Sequence, residues 1–116
     1  MTGFLPPLSG RDHLGLCSRW WLGSDFAPKL VSLTDDVLFG DVWERKELTP
    51  RDRSLITVAA LITGGNSEQL PFHLNKAKEN GLTETELKEV ITHLAFYAGW
   101  PKAMSAITVA KQVFEG

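Results

Sequence analysis

The chain has 116 residues, of which 43% are hydrophobic and 22% are charged, and its formal net charge is −2. This length predicts one domain, and the composition is that of a globular chain rather than a disordered one. Basic residues neither outnumber the acids nor cluster, and no run of about 18 apolar residues would span a membrane. Because residues 1–15 also lack the pattern of a secretory signal, we expect a cytoplasmic protein with no nucleic-acid or membrane partner.

Residues 1–22 are rich in Pro and Gly and show no clear periodicity. Their single cysteine, Cys17, excludes an internal disulfide and any Cys-x-x-Cys redox or zinc site. Trp20 and Trp21 are costly to leave in water, which favours an N-terminal arm that packs over an alternative start or a partly disordered tail. We therefore expect an arm over residues 1–22 and one helical domain over residues 23–116.

The domain begins with two predicted helices. The first, from Asp25 to about residue 39, has apolar residues at helical spacing and Gly40 as its stop; they are Leu30, Leu33, Val37 and Leu38. In the second, Thr49 is a good N-cap, Pro50 suits the first helical position, and Gly64 and Gly65 end the helix. Its interior, LITVAALIT, is apolar on nearly every side, so it must be covered on every side.

Three more helices follow. One lies between Asn66 and Gly81, and its start is ambiguous because of Pro71. The next opens with Thr83 and Glu86, which form a capping box, and runs to Gly99. The last covers residues 101–114, and no hairpin signal appears anywhere. The sequence therefore predicts an all-α chain of about five helices.

Two aromatic residues flank the apolar stripe of the fourth helix. His93 and Tyr97 lie side by side at i and i+4, roughly 80–120° from the centre of the stripe, with Glu86 between them. A cleft between two helices would open at this position. The alternative is that His93 bonds a neighbouring backbone group and Tyr97 is an amphipathic edge residue.

His73, on the preceding helix, is the third candidate for chemistry. It follows Gln69 by four residues and Asn66 by seven, so the three share a face if the helix reaches back that far. A histidine beside polar groups can donate or accept a proton near neutral pH. No tight spacing of metal ligands and no phosphate-binding loop accompany it, so we expect no metal site.

Three stretches of these helices together resemble the carboxymuconolactone decarboxylase family. They are RDRSLITVAAL (51–61), the motif H-L-x-x-A-x-x-N-G that begins at His73, and HLAFYAGWPKAMSA (93–106). The resemblance runs roughly from Asp25 to Phe114. It implies an all-α fold of the alkylhydroperoxidase D type, built round a helical hairpin, and assembly into homo-trimers or hexamers.

The family implied by this resemblance has two chemistries. One branch removes CO₂ from a small lactone carboxylate without metal or cofactor. The other, which resembles alkylhydroperoxidase D, uses a Cys-x-x-Cys before the histidine and a glutamate further upstream. In this sequence the two cysteine positions fall on Asn66 and Gln69, and the glutamate position falls at or near Ser54. Since peroxide reduction needs an attacking and a resolving thiol, the peroxidase alternative is disfavoured.

The main hypothesis is therefore a cofactor-free lyase acting on a small lactone or cyclic carboxylate. His73 is the expected general acid, and His93 and Tyr97 are expected to hydrogen-bond the developing oxyanion. Arg51 or Arg53 suits a substrate carboxylate because the guanidinium is two-pronged, although both also suit a solvated first turn. The other predicted binding residues are Gln69, Phe72 and Trp100. A non-catalytic oligomeric protein that binds a small ligand is the remaining alternative.

Overall fold

The computed structural model describes residues 25–116, and every regular element in this range is a helix. The predicted all-α fold is confirmed. The predicted arm, with Cys17, Trp20 and Trp21, lies outside the described residues, as does its boundary after residue 22. Contacts divide the chain after Glu47 into two units, which are described separately. None of the helices within residues 25–116 combines the length and hydrophobicity needed to cross a membrane.

The described part of the first unit is a short helix with an altered winding. Helix α1, Pro28–Ser32, continues as a π-helical segment, Leu33–Phe39, and a 3₁₀ turn follows at Val42–Glu44. Phe39 is buried and stacks on Trp43 with ring centroids 5.8 Å apart. The side chains of the predicted apolar stripe are exposed; they are Leu30, Leu33, Val37 and Leu38.

The second unit, Leu48–Gly116, is built from four helices. They are α2 (Pro50–Gly64), α3 (Leu70–Glu79), α4 (Glu84–Ala95) and α5 (Trp100–Glu115). Helix α2 packs on α3, α4 and α5, and α5 also packs on α3 and α4. The fully buried side chains at the centre of this packing include Val58, Leu70, Leu74 and Leu87.

Helix α2 begins and ends where its sequence predicts. The Thr49 side chain accepts a hydrogen bond from the Asp52 backbone N–H at 3.1 Å, and Gly65 closes the helix with a φ of 72°. Within the described residues, however, the buried positions of the helix lie on one side, at Ser54, Val58 and Ile62. Ile56, on another side, is 55% exposed.

Two helix ends differ from the sequence prediction. Helix α3 begins at Leu70, with Pro71 in its first turn, where the missing proline N–H costs no hydrogen bond. Asn66 therefore lies in the turn before the helix and shares no helical face with His73. Helix α4 ends at Ala95 rather than at Gly99. The next two backbone N–H groups, of Phe96 and Tyr97, bond three residues back, which tightens the chain as helix ends often do.

Candidate functional site

A groove of about 420 Å³ lies between helices α2 and α4. Helix α2 contributes residues 51, 55 and 59, which follow one another at helical spacing on a single face. The facing side of α4 contributes residues from its first turn to its last. Most of the wall is apolar, and it is formed by Leu55, Ala59, Leu82, Val90 and Leu94. Such a lining offers apolar surface to a ligand and leaves the few polar groups to set its orientation.

Four polar side chains line the same groove: Arg51, Glu86, Glu89 and His93. Arg51 lies in the first turn of α2, and its Nη2 group donates a hydrogen bond to Oε2 of Glu86 at 2.6 Å. Its Nη1 group lies 3.9 Å from Oδ1 of Asp52. The guanidinium has five N–H donors, so donors remain for an anionic ligand.

Glu86 also closes the capping box that the sequence predicts. Its Oε1 accepts a hydrogen bond from the Thr83 backbone N–H at 2.9 Å, while the Glu86 N–H donates to the Thr83 hydroxyl at 3.0 Å. The hydrogen bond from the Thr83 backbone, and then the charge of Arg51, lower the pKa of Glu86. Glu86 is therefore an ionised group with a fixed position at the start of α4.

His93 lines the groove from the last turn of α4. Its ring stacks on that of Tyr97, with centroids 4.8 Å apart and an interplanar angle of 23°. Tyr97 lies beyond the end of the helix and is 78% exposed. The predicted neighbourhood of these two rings is thus present, but only His93 borders the groove.

His73 has a different environment, in the core of the unit on helix α3. It is only 8% exposed, and the Phe72 ring meets the imidazole edge-on at 4.9 Å. Burial, together with the positive charge of Lys76, lowers the pKa of His73 to about 4. The imidazole is therefore neutral at neutral pH. His73 does not line the groove, and its role as a general acid stays a prediction.

The other predicted binding residues do not converge on the groove either. Gln69 is the N-cap of α3 and is half-buried, like Phe72. Arg53 lies on α2 but is not part of the groove lining. Trp100 begins α5, is 59% exposed, and meets Phe96 edge-on with centroids 5.9 Å apart. The structure brings together Arg51 and His93, and keeps Gln69, Phe72 and His73 together on α3.

Two charged residues of the groove were not among the predicted site residues: Glu86 was named only as a helix cap beside His93 and Tyr97, and Glu89 was not named. Glu86 and Glu89 share one face of α4 with His93, at offsets of three and seven residues from Glu86. The helical spacing of these residues could have indicated their shared face. No sequence pattern indicated the pairing of Glu86 with Arg51, since the two lie 35 residues apart and nothing local links them.

Ser54, at or near the position that the resemblance gives to the peroxidase glutamate, is fully buried. Its hydroxyl accepts a hydrogen bond from Nδ2 of Asn80 at 2.9 Å. Asn66 and Gln69, to which the resemblance assigns the two thiol positions, carry amides. No group of three or more His, Cys, Asp or Glu side chains in residues 25–116 is placed to hold a metal ion.

Two curated relatives carry names that describe a reaction. The chain is 37% identical over 92 residues to the 4-carboxymuconolactone decarboxylase of Acinetobacter baylyi, which covers 79% of this chain and 69% of the relative. It is 35% identical over 74 residues to the nitrosuccinic acid decarboxylase of Metarhizium robertsii, which covers 64% of this chain but only 52% of that relative.

The sequence model of one protein family also matches most of the helical part. The match to the carboxymuconolactone decarboxylase family spans residues 28–112, which includes both sides of the groove and His73. Because the match is this long and the bacterial relative is 37% identical, the chain belongs to the carboxymuconolactone decarboxylase family.

Proposed function

We propose that this protein is a decarboxylase of small carboxylic acids that carry an electron-withdrawing group. Family membership supports a decarboxylase, and so do the names of the two relatives. Those names describe a carboxylated lactone and a nitro-substituted succinic acid. Each is an acid in which a lactone or a nitro group can accept negative charge when CO₂ leaves.

The reaction has a simple balance of atoms and electrons. The bond between the carboxylate and its carbon breaks, CO₂ leaves, and the electron pair stays on the substrate, delocalised onto the oxygens of the activating group. One proton then adds to the carbon that lost CO₂. The protein therefore has to stabilise the oxygens that gain charge, supply a proton, and keep the departing carboxylate away from water.

The observation that carries the proposal is the composition of the α2–α4 groove. Arg51 supplies a positive charge beside a largely apolar wall, and Glu86, Glu89 and His93 border the same space. In our proposal Arg51 holds the oxygens on which charge collects, and the departing carboxylate faces the apolar wall. That arrangement favours the transition state, because a carboxylate held by Arg51 would itself be stabilised against leaving.

We assign proton return to His93 rather than to His73 in this proposal. A general acid must lie within hydrogen-bonding reach of the atom that receives the proton, and His93 borders the groove whereas His73 does not. The lowered pKa of His73 also leaves little imidazolium at neutral pH. His73 as general acid remains the competing assignment.

The test is release of CO₂ from a panel of acids. Purified protein is incubated with 4-carboxymuconolactone, nitrosuccinate and, as an unactivated control, succinate, and CO₂ is measured with the wild type and Arg51→Ala. We expect turnover of an activated acid only. Because hydrogen bonds to charged groups contribute about 1.5–3 kcal/mol, Arg51→Ala should lower kcat/KM at least about tenfold. Binding of an acid without any CO₂ release would favour a non-catalytic binding protein instead.

The peroxidase alternative has its own test in the same preparation. Turnover of an alkyl hydroperoxide with a dithiol reductant would have to depend on Cys17, which is the chain's only cysteine. We expect no such turnover, because a second thiol is needed to resolve the oxidised one. Hydroperoxide reduction that is lost in Cys17→Ser would contradict the decarboxylase proposal.

We also propose that the chain acts as a homo-oligomer, a trimer or hexamer by its family resemblance. Large apolar side chains remain exposed in the single chain, among them Ile56 and Met104 at 55% and 52%. Burying one such side chain is worth roughly 1.5–3 kcal/mol, which a neighbouring copy would supply. Sedimentation at micromolar concentration tests this proposal. A monomer of 12.9 kDa would refute it, and Ile56→Lys should shift an oligomer toward monomer.

A further inference from the structure

Glu86 is held through both of its carboxylate oxygens. Oε1 accepts from the Thr83 backbone N–H and Oε2 accepts from Nη2 of Arg51. The first bond belongs to the helix cap, so it ties the carboxylate to the backbone at the start of α4. The second bond then transfers this fixed position to the guanidinium of Arg51. Arg51 would otherwise be a long side chain with several rotatable bonds in the first turn of α2.

The contact between the two side chains also ties Arg51 to a second helix. It joins the first turn of α2 to the first turn of α4 across 35 positions of the sequence, and both side chains line the groove. The Arg51 side chain remains 41% exposed, so its other donors are accessible to a ligand.

We propose that Glu86 is a positioning residue, which keeps Arg51 at the groove with donors left over for the ligand oxygens on which charge collects. This inference rests on the proposed function, because that proposal gives Arg51 those oxygens to bind. Glu86 acts only through Arg51. Its effect on the reaction is that less side-chain freedom is lost when the ligand binds, since the guanidinium is already ordered.

If Glu86 competed with the ligand instead of positioning Arg51, its removal would change ligand affinity in the opposite direction. If Glu86 were a competitor, the ligand would have to displace it from Arg51, and removing its charge would strengthen ligand binding. If Glu86 positions Arg51, removing its charge weakens binding. The direction of the change in affinity therefore separates the two roles without any assumption about its size.

Glu86→Gln is the variant that separates this role from helix capping. Glutamine at this position still closes a capping box, because its one side-chain oxygen accepts from the Thr83 N–H. Its NH₂ group then meets the Nη2 donor of Arg51, so the contact between the two side chains is lost. The cap stays while the positioning bond goes.

Two control variants match it. Glu84→Gln removes an ion pair in the same first turn of α4, between Glu84 and Lys78 at 2.8 Å, with similar exposure but no place in the groove lining. Thr83→Ala removes the hydroxyl half of the capping box and leaves both oxygens of Glu86 with their donors. Neither control should change ligand binding, although Thr83→Ala should lower stability by about 1 kcal/mol.

Two readouts are measured on the folded proteins: the Kd for nitrosuccinate and for succinate by calorimetry, and the Nε–H resonance of Arg51 by NMR. We expect Glu86→Gln to weaken binding about fivefold, the upper range for an exposed ion pair. The Arg51 resonance, resolved in the wild type, should collapse toward that of a mobile arginine. Arg51→Lys, which keeps the charge and leaves the cap intact, should weaken binding similarly, because an ammonium lacks the second prong.

The outcomes distinguish this inference from the proposed function. Binding in Glu86→Gln that equals or exceeds wild type overturns the positioning role, and so does an equal loss in Glu84→Gln. A wild type that binds an acid but releases no CO₂ overturns the proposed function, and the affinities still decide the role of Glu86. A wild type that binds neither acid and releases no CO₂ from 4-carboxymuconolactone overturns both. If Glu86→Gln does not fold, Arg51→Lys and Glu84→Gln decide between the outcomes.

Discussion

The two histidines of the helical unit show how environment separates two chemically identical groups. His73 on α3 is 8% exposed, and burial, aided by Lys76, lowers its pKa to about 4. His93 on α4 is exposed and borders the groove that holds Arg51 and Glu86. A buried neutral imidazole packs and accepts or donates one hydrogen bond, whereas an exposed one can exchange protons with solvent during each turnover. The comparison supports our proposal that His93, rather than His73, returns the proton.

Replacing each histidine by glutamine in a separate variant tests this comparison most directly. We expect His93→Gln to lower kcat for CO₂ release about 100-fold or more, which is the usual range for loss of a general acid. His73→Gln should change kcat much less. The measurement is steady-state kinetics at pH 7 on an activated acid, with circular dichroism to verify that both variants fold. A larger loss in His73→Gln would restore His73 as the general acid and leave His93 as a surface residue.

The pKa of His73 sharpens the comparison through stability. Because the folded-state pKa of about 4 lies below the ordinary value of 6.5, the unfolded chain binds a proton between these pH values that the folded chain does not. The stabilising contribution is therefore present above pH 6.5 and is lost as the pH falls toward 4. The pKa difference corresponds to about 3 kcal/mol in the free energy of unfolding.

Urea unfolding at pH 7, 5.5 and 4 measures this loss of stability. These pH values cover the interval between the ordinary histidine pKa of about 6.5 and the lowered pKa of His73 of about 4. The wild type should lose stability steadily across the series, and His73→Gln should lose clearly less. His93→Gln serves as the matched control, and its stability should follow the wild type. Identical slopes for wild type and His73→Gln would mean that His73 is more hydrated than its burial indicates.

Most of the fold was predictable from the sequence because its signals are local. The N-cap of Thr49, the capping box of Thr83 and Glu86, and the glycine after α2 each depend on a few neighbouring residues. The π-helical winding after α1 and the early end of α4 were not predictable, since they arise from hydrogen bonds that shift by one residue without a sequence marker. Because α4 ends early, Tyr97 lies beyond the helix rather than within it.

The candidate site was predictable only in part. The helix position of His93 indicated a cleft, and Arg51 was a candidate because arginine suits an anion. Their convergence depends on how α2 and α4 pack, which no local pattern encodes. His73 was judged by its polar neighbours in sequence, Asn66 and Gln69, but α3 begins after both and turns the imidazole into the core. Burial, a tertiary property, decided that case.

The smallest expected effect concerns the hydrogen bond that links α2, which borders the groove, to the core around α3. Ser54 on α2, one turn after Arg51, accepts the 2.9 Å hydrogen bond from Asn80 at the C-terminal end of α3. Ser54→Ala removes the acceptor but leaves the half-buried Asn80 amide partly able to reach water, so we expect a loss of about 1 kcal/mol in the free energy of unfolding. Asn80→Ala and the double variant complete a double-mutant cycle, whose coupling energy should be about 0.5–1.5 kcal/mol.

If the groove and the α3 core are independent, ligand affinity in Ser54→Ala should equal that of the wild type. A fall in affinity that matches the fall in stability would show that the core around α3 sets the position of Arg51, and the separation of the two regions would not hold.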